Sequence, residues 1–458
     1  MARLEGWGRH PVVAAPEHLS ENLERASRDA TLARGLGRSY GDASLPAPGG
    51  VAVGSRLADR ILSFDSATGD LHAESGLSLH DLTWIFLPQG WCSPIMPGTA
   101  YITLGGMVAA DVHAKNHHLD GTVGRHLQRF KIRLVDGRTL WASRDEHPDL
   151  FRATLGGMGL TGHVLEVVLR LQRVPSPWIY AETERIPDLD RFLRGLKDAA
   201  AGWPLTMGWI DCLKRGRSMG RGILYRGRWA RPEDQPPSTP PEPKKRVTVP
   251  IDAPSFLLNK LSMSLFNFGV YNSHIPKQKQ GIQHPEDFFH PLDKVTAWNR
   301  CYGRRGFTQY QCVIPDDDGP QGARRFLELL TGSGAASFLC VIKDCGPEGE
   351  GLLSFPRPGT SIAVDLPVRS NTAEIVARLN DCVIAEGGRI YLAKDTFTSA
   401  EHYRAMEPRL DSFLEIQRLY DPKGRLASVQ SERLGLTAFG TGAGPRDRVP
   451  LGTTQHSE

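Results

Sequence analysis

Residues 33–45 read ARGLGRSYGDASL, and three of the first nine are glycines: Gly35, Gly37 and Gly41. At that spacing one tight turn can aim successive backbone N–H groups at a single anion. With no side chains in the way, a pyrophosphate can approach the main chain. Arg38 adds a fixed positive charge, and Ser39 and Tyr40 add hydroxyl donors. A plain surface turn is the competing reading, and the Arg-Ser-Tyr insert argues against it. A second run, PGTAYITLGGMVAADVHAKNHHLDGTVGRHL (97–127), carries Thr103, Gly105 and Gly106, then crowds Asp111, His113, Lys115, Asn116, His117 and His118 into eight residues. Such a cluster is costly to bury without partners, so it must face solvent or line a ligand. His113 and His117 stand at i and i+4, a spacing that suits a metal on a helix. No further ligand completes the set and the neighbouring glycines disfavour a long helix, so no metal is expected.

Further along, Gln309 and Gln311 alternate on a strand and share one side of it. If that side faces inward, the two amides need partners such as sugar hydroxyls or a phosphate; otherwise it faces solvent. Lys343, also on a strand, suits a phosphate. GMGLTG (157–162) matches the dinucleotide fingerprint, which has meaning only between a strand and the helix it opens. Here the order is reversed, from a helical DLFRATL into the β-branched HVLEVVLRLQRV, and a Rossmann reading is rejected.

The elements that must hold these groups suggest an α+β protein of two domains. Residues 1–175 alternate short β runs with glycine-rich turns, and LDRFLRGLKDAAAGW opens a second, strand-rich region over 176–388. Within it 231–285 is expected to be a mobile loop. Its first part, RPEDQPPSTPPEPKKRVTVP, reads as a solvated, proline-dense stretch with a basic patch at Lys244–Arg246. SFLLNKLSMSLFNFGVYN then places Leu257, Leu258, Leu261, Leu265 and Phe268 on one helical face. That face either packs on the second domain or touches lipid beside the basic patch. EIVARLNDCVIAEGG reads as a helix ending on its Gly-Gly pair, and residues 436–458 as a disordered tail.

Bulk properties exclude several classes. The chain has 458 residues, 55 basic against 51 acidic side chains, and no long basic run, which does not suit nucleic acid. Seven scattered cysteines without a CxxC pair argue against a disulfide framework and for a reducing compartment. No signal peptide and no run of about 18 apolar residues is visible, so a cytoplasmic protein, or one peripheral at an inner membrane, is expected, with the cell-envelope side left open.

RGLGRSYGD, PGT with T-x-GG, and GGMGLTG, at these separations, resemble the FAD domain of the vanillyl-alcohol-oxidase-like (PCMH-type) flavoproteins. That resemblance implies a two-part FAD-binding domain at 1–175, completed by 389–435, beside an antiparallel-sheet substrate domain flanked by helices. The family often carries a histidine, bonded covalently to the flavin, where this chain has Arg38; non-covalent FAD is therefore implied. The downstream motifs KNHH (115–118), FHPLD (289–293), WNRCYG (298–303), GFTQYQCVIP (306–315), SFLCVIKDCGP (337–347), GGRIYLAKD (387–395) and YDPKGRLAS look like the family of decaprenylphosphoryl-β-D-ribose 2′-oxidases. These are the flavin halves of an epimerase that makes an arabinose donor for cell-wall arabinan.

The resemblance carries FAD contacts onto Arg34, Gly35, Leu36, Gly37, Arg38, Ser39, Tyr40, Gly41 and Asp42. It adds Gly98, Thr99, Thr103, Leu104, Gly105, Gly106, Ala110, Asp111, Val112, His113, Gly162, Val164 and Tyr391. It implies Lys394 and His113 as catalytic, and Gln309, Gln311, Lys343, Lys115, Phe289, Ser361 and Ala363 on the substrate side. Lys394 would act as an ammonium near the flavin or as a neutral base, unless it is only a salt bridge to Asp395. Three positions depart from the family: Phe289 replaces its tyrosine, and Ser361 and Ala363 replace its asparagine and the cysteine attacked by nitroaromatic inhibitors.

The implied partners are a polyprenyl-phosphate-linked sugar, an NAD(P)H-dependent short-chain keto-reductase and a membrane surface. Competing readings are an aldonolactone or alditol oxidase that uses oxygen, an NADPH-dependent enolpyruvyl-sugar reductase, and a flavin-free scaffold.

Overall fold

The computed structural model describes residues 1–254, 258–317, 319–334 and 337–437. Three sheets organise it. A small parallel sheet joins Glu17–Leu19, Ala52–Gly54 and Leu32–Arg34, with Ala52–Gly54 in the middle. Beside it lies a five-stranded antiparallel sheet in the order Thr139–Ser143, Leu127–Arg133, His163–Arg170, Asp70–Glu74, Ile61–Asp65. His163–Arg170 is central in it because Val164, Leu165, Val167 and Leu169 are all buried, as a strand covered on both faces requires. GMGLTG does lie between the helix Pro148–Thr154 and this strand, the reverse of a nucleotide-binding order.

The third sheet has eight antiparallel strands: Gln278–Gln283, Ile179–Ile186, Gly222–Trp229, Leu205–Ile210, Cys340–Cys345, Gly359–Pro367, Phe307–Ile314 and Arg389–Ile390. Helices Leu189–Gly202, Gln321–Gly332 and Thr372–Ala385 cover one of its faces. The first buries Leu189, Phe192, Leu193, Leu196 and Ala199, a 3.6-residue stripe, and is capped by the Asp188 carboxylate accepting from Arg191 N. Gly208 must be small because a Cβ there would meet the Phe192 ring at 2.3 Å. Alternation then decides the site. Tyr310, Cys312, Ile342, Ile362 and Val364 go to the helix layer, so Gln309, Gln311, Lys343, Ser361, Ala363 and Asp365 share the opposite face.

The chain finally returns to its beginning. Ala393 O accepts from Tyr40 N (2.9 Å), Leu45 O accepts from Val429 N (2.9 Å), and Arg433 grips Asp42.

Within 231–285 the proline-dense stretch is largely exposed, while Lys244 pairs with Asp287 at 2.7 Å and Arg246 lies over the Tyr101 ring and 3.5 Å from Glu286. Gln278–Gln283 is an ordered sheet edge. The helix spans Lys260–Asn272, and its face of Leu261, Leu265 and Phe268 is exposed where packing against the domain was one alternative. Leu257 and nearly all of the expected disordered tail lie outside the described residues. Among the described residues, no helix is long and apolar enough to cross a membrane.

Candidate active site

The glycine loop follows directly from the strand Leu32–Arg34, and its glycines are sterically required. Gly37 sits at φ +64°, and a Cβ on Gly41 would meet Asp395 O at 1.9 Å. A Cβ on Gly35 would strike Thr103 Oγ1 at 2.5 Å, so the first glycine run presses directly on the second. Thr103 caps Leu104–Ala109 by accepting from Gly106 N at 3.1 Å. Gly105 donates to Ser75 O at 2.8 Å.

Several charged residues of this region brace the loop. The Arg34 guanidinium donates to Ser44 O, Ser44 Oγ and Glu5 O at 2.8–3.0 Å. Asp42 accepts from Arg433 at 2.8 and 2.9 Å. Burial raises the Asp42 carboxyl pKa while Arg433 opposes the rise. Thr99 Oγ1 and Ala100 N both donate to Asp293, which locks the Gly98–Thr99 turn to the FHPLD segment. Arg38 differs: its guanidinium lies 4.1 Å from the Trp7 ring centroid and 5.1 Å from that of Tyr101, and its buried Nε has no partner among the described residues.

Asp111 adopts φ +38° and accepts from Gly124 N at 3.0 Å and from the Ser354 hydroxyl; burial lifts its pKa to about 6. Two residues on, His113 is buried against Tyr391 and Phe355, with ring centroids 5.0 and 5.3 Å away. Burial, reinforced by Lys343, His117 and Lys394, holds its pKa well below the ordinary value, so the ring is neutral. Gln311 Nε2 donates to His113 Nε2 at 3.2 Å, which leaves the proton on Nδ1, a buried atom with no partner among the described residues. His117 does not share a helix turn with it. His117 begins the short helix His117–Asp120, and its Nδ1 accepts from Gly346 N at 3.0 Å. Among the described residues no group of three or more metal-ligating side chains gathers here or elsewhere.

The floor of the site is the open face of the large sheet. Gln309 and Gln311 are both buried, and their partners are protein groups. Gln309 Nε2 donates to Asp365 Oδ1 at 2.6 Å, and Gln311 Nε2 reaches Ser361 Oγ at 3.2 Å as well as His113. Ala363 lies directly opposite Gln311. Lys343 Nζ donates to Ala114 O (3.2 Å) and Lys115 Nζ to Phe289 O (2.8 Å). Burial lowers the pKa of both, that of Lys115 to about 7. Phe289 is fully buried against Trp229 and Phe288, and meets Lys115 both through its carbonyl and through its ring, whose centroid lies 5.9 Å from the ammonium.

Lys394 crowns this floor. Its ammonium lies 3.7 Å from the centroid of the Tyr40 ring and makes no hydrogen bond or ion pair among the described residues. Asp395 is taken instead by Arg433 at 2.8 Å. The side chain keeps partial exposure, yet the dense protein around it lowers its pKa to about 7, with the Asp365 carboxylate opposing that fall. Asp365 is fully buried, accepts from Tyr302 OH at 2.8 Å as well as from Gln309, and is raised by burial to about 6. Tyr391 donates to Ala110 O at 3.2 Å, and Val164, two residues after Gly162, pairs with Ile132. Sequence reading missed Asp365, Tyr302, Asp293, Arg433, Trp7 and Tyr101.

The residues fit FAD. A Cβ finds no room at Gly35 or Gly41, and the buried Arg38 Nε, Tyr101 OH and His113 Nδ1 all lack partners among the described residues. Glycine-loop segments over an antiparallel sheet, with Lys394 set against the Tyr40 ring of the first glycine run, define an FAD-dependent oxidoreductase of the PCMH type. A FAD binding domain model matches residues 13–143, and the cofactor is FAD held non-covalently.

The chain is 34% identical over 452 residues to decaprenylphosphoryl-beta-D-ribose oxidase of Mycolicibacterium smegmatis, covering 95% of this chain and 97% of that one. It belongs to that oxidase family. An uncharacterised protein of the mprA 5′ region of Streptomyces coelicolor is 32% identical over 79% of this chain and all of its own length. A putative D-arabinono-1,4-lactone oxidase of Neurospora crassa is 28% identical over 34% of this chain and 28% of its own.

Proposed function

We propose that this oxidoreductase oxidises the ribose 2′-hydroxyl of a polyprenylphosphoryl-β-D-ribose to the 2′-ketone. The family supplies the substrate class, and the observation that carries the chemistry is Lys394, 3.7 Å from the Tyr40 ring centroid, with pKa about 7 and no hydrogen bond among the described residues. Bound FAD supplies the hydride acceptor, at N5. The residues named on the glycine runs, with Gly162, Val164 and Tyr391, hold it. Lys394, neutral in about half the molecules near pH 7, takes the hydroxyl proton in that form while the hydride leaves C2′. The resulting ammonium is held by the Tyr40 ring face and the Asp365 carboxylate. His113 is a positioning donor: Gln311 fixes its tautomer, so Nδ1–H points to a ligand.

Lys343, beside Ser361 and Ala363, supplies positive charge for the phosphate. The 2′-ketone is then consumed by an NAD(P)H-dependent short-chain reductase, and the lipid-linked substrate requires peripheral contact with a membrane. The test is a short-chain polyprenylphosphoryl ribose carrying deuterium at C2′ alone. The reading expects slower flavin reduction from that label than from deuterium at C3′. Equal rates would rule out hydride loss from C2′.

A further inference from the structure

The helix Lys260–Asn272 is anchored on one side and bare on the other. Met263 packs into an aromatic cluster with Tyr40, Trp298, Tyr302 and Phe307, the layer on which Lys394 rests. Asn267, fully buried, donates to Asp211 Oδ1 and Ser337 O. On the other side Leu261, Leu265 and Phe268 stand at i, i+4 and i+7 with 70%, 63% and 56% of their surface exposed, and Ile275 just beyond is 73% exposed. An apolar stripe of that size facing outward is not required by the fold and marks a contact surface.

Basic groups rim it. Lys260, Lys277 and Lys279 are exposed. Tyr271, round the helix from the bare stripe, walls a cavity of about 580 Å³ that Arg185, Arg191, Arg194, Arg226 and Lys277 also line. Two carboxylates, Glu184 and Asp198, share the lining, and Glu184 is already paired with Arg226. Arg194 has no ion pair among the described residues.

We propose that this face docks on an anionic phospholipid bilayer. Leu261, Leu265, Phe268 and Ile275 enter the boundary between headgroups and acyl chains, and a headgroup phosphate enters the cavity beside Arg194 and Lys277. Apolar residues ringed by lysine and arginine are what an interfacial helix requires. A second copy of the chain is a poor occupant, because a two-fold contact would set the basic rim against itself. The docking face deepens the lipid-linked substrate reading and rests on it for its purpose: the aromatic cluster under the helix puts the bilayer one layer from Lys394.

The test is co-sedimentation of the FAD-loaded full chain with vesicles of phosphatidylcholine alone or of phosphatidylcholine with phosphatidylglycerol. Binding is expected to the second kind and to weaken with salt. Phe268→Asp is expected to cut the partition about tenfold. Arg194→Gln and Lys277→Gln are each expected to cut it about fivefold. None of the three should change oxidation of a short-chain soluble substrate. Equal binding to both kinds of vesicle, no binding to either, or unaltered binding by Phe268→Asp would overturn the proposal. So would a dimer in light scattering that Phe268→Asp abolishes, because that would assign the face to a second copy. Vesicle binding without oxidation of the soluble substrate would count against the substrate reading and leave the docking face standing.

Discussion

Replacing Lys394 by methionine keeps the length and apolar stem of the side chain and removes its charge. Two effects of opposite sign follow. In the folded protein the lysine pKa falls from 10.5 to about 7, chiefly through burial. That fall corresponds to about 5 kcal/mol of folding free energy spent on keeping the amine in place below pH 7. Because the folded pKa is the lower one, the cost is complete below about 7, shrinks as pH rises towards 10.5, and is absent above it. Lys394→Met is therefore expected to raise Tm by several degrees at pH 6 and by progressively less toward pH 10. Over the same series its oxidation rate should fall at least a hundredfold, since the proton acceptor is gone. Thermal unfolding followed by flavin fluorescence, with stopped-flow flavin reduction on the same samples, reads both. A variant that is less stable at pH 6, or one that still oxidises substrate at a tenth of the parent rate, would refute the reasoning.

Wild-type reduction by substrate should itself speed up as pH rises through about 7, the value of Lys394, and a rate flat across that range would count against a neutral amine as the base. Arg433→Ala strands the buried carboxylates of Asp42 and Asp395, with an expected cost of about 3–5 kcal/mol and weakened FAD retention, read by thermal unfolding and bound-flavin absorbance. Nitroaromatic inhibitors that bond a cysteine in the family should leave the mass of this protein unchanged, whereas Ala363→Cys, opposite Gln311, should restore the adduct in intact mass spectrometry. Lys343→Ala should raise KM for a phosphorylated substrate about tenfold with little change in kcat; an unchanged KM would remove its phosphate role.

Much of the architecture was legible because it rests on local pattern. The period of two in GFTQYQCVIP put Gln309 and Gln311 on one side of a strand, and 3.6-residue spacing marked Leu189–Gly202 and Thr372–Ala385 as helices. The reversed order around GMGLTG was readable for the same reason. What pattern does not carry is the identity of the partner. Gln309 and Gln311 were legible as needing partners, yet those partners are Asp365, His113 and Ser361 on other elements. Asp365 had one available signal. It lies two residues beyond Ala363 and four beyond Ser361, so it had to share their face, where a lone carboxylate among apolar residues needs a donor. Arg433 gave none, since it reaches Asp42 across 391 positions of sequence. The helix at Lys260–Asn272 shows the converse limit: periodicity finds an apolar stripe, and only the packing of Met263 and Asn267 tells which side faces out.

The most direct test is the visible spectrum of the purified protein, recorded without oxygen before and after a short-chain polyprenylphosphoryl ribose is added. The expected result is a yellow protein whose flavin absorbance bleaches, at a rate that Lys394→Met cuts at least a hundredfold. A protein that stays yellow with this substrate but bleaches with free aldonolactones would contradict the assignment of the sugar. A protein that stays colourless after FAD is added would contradict the flavin chemistry itself.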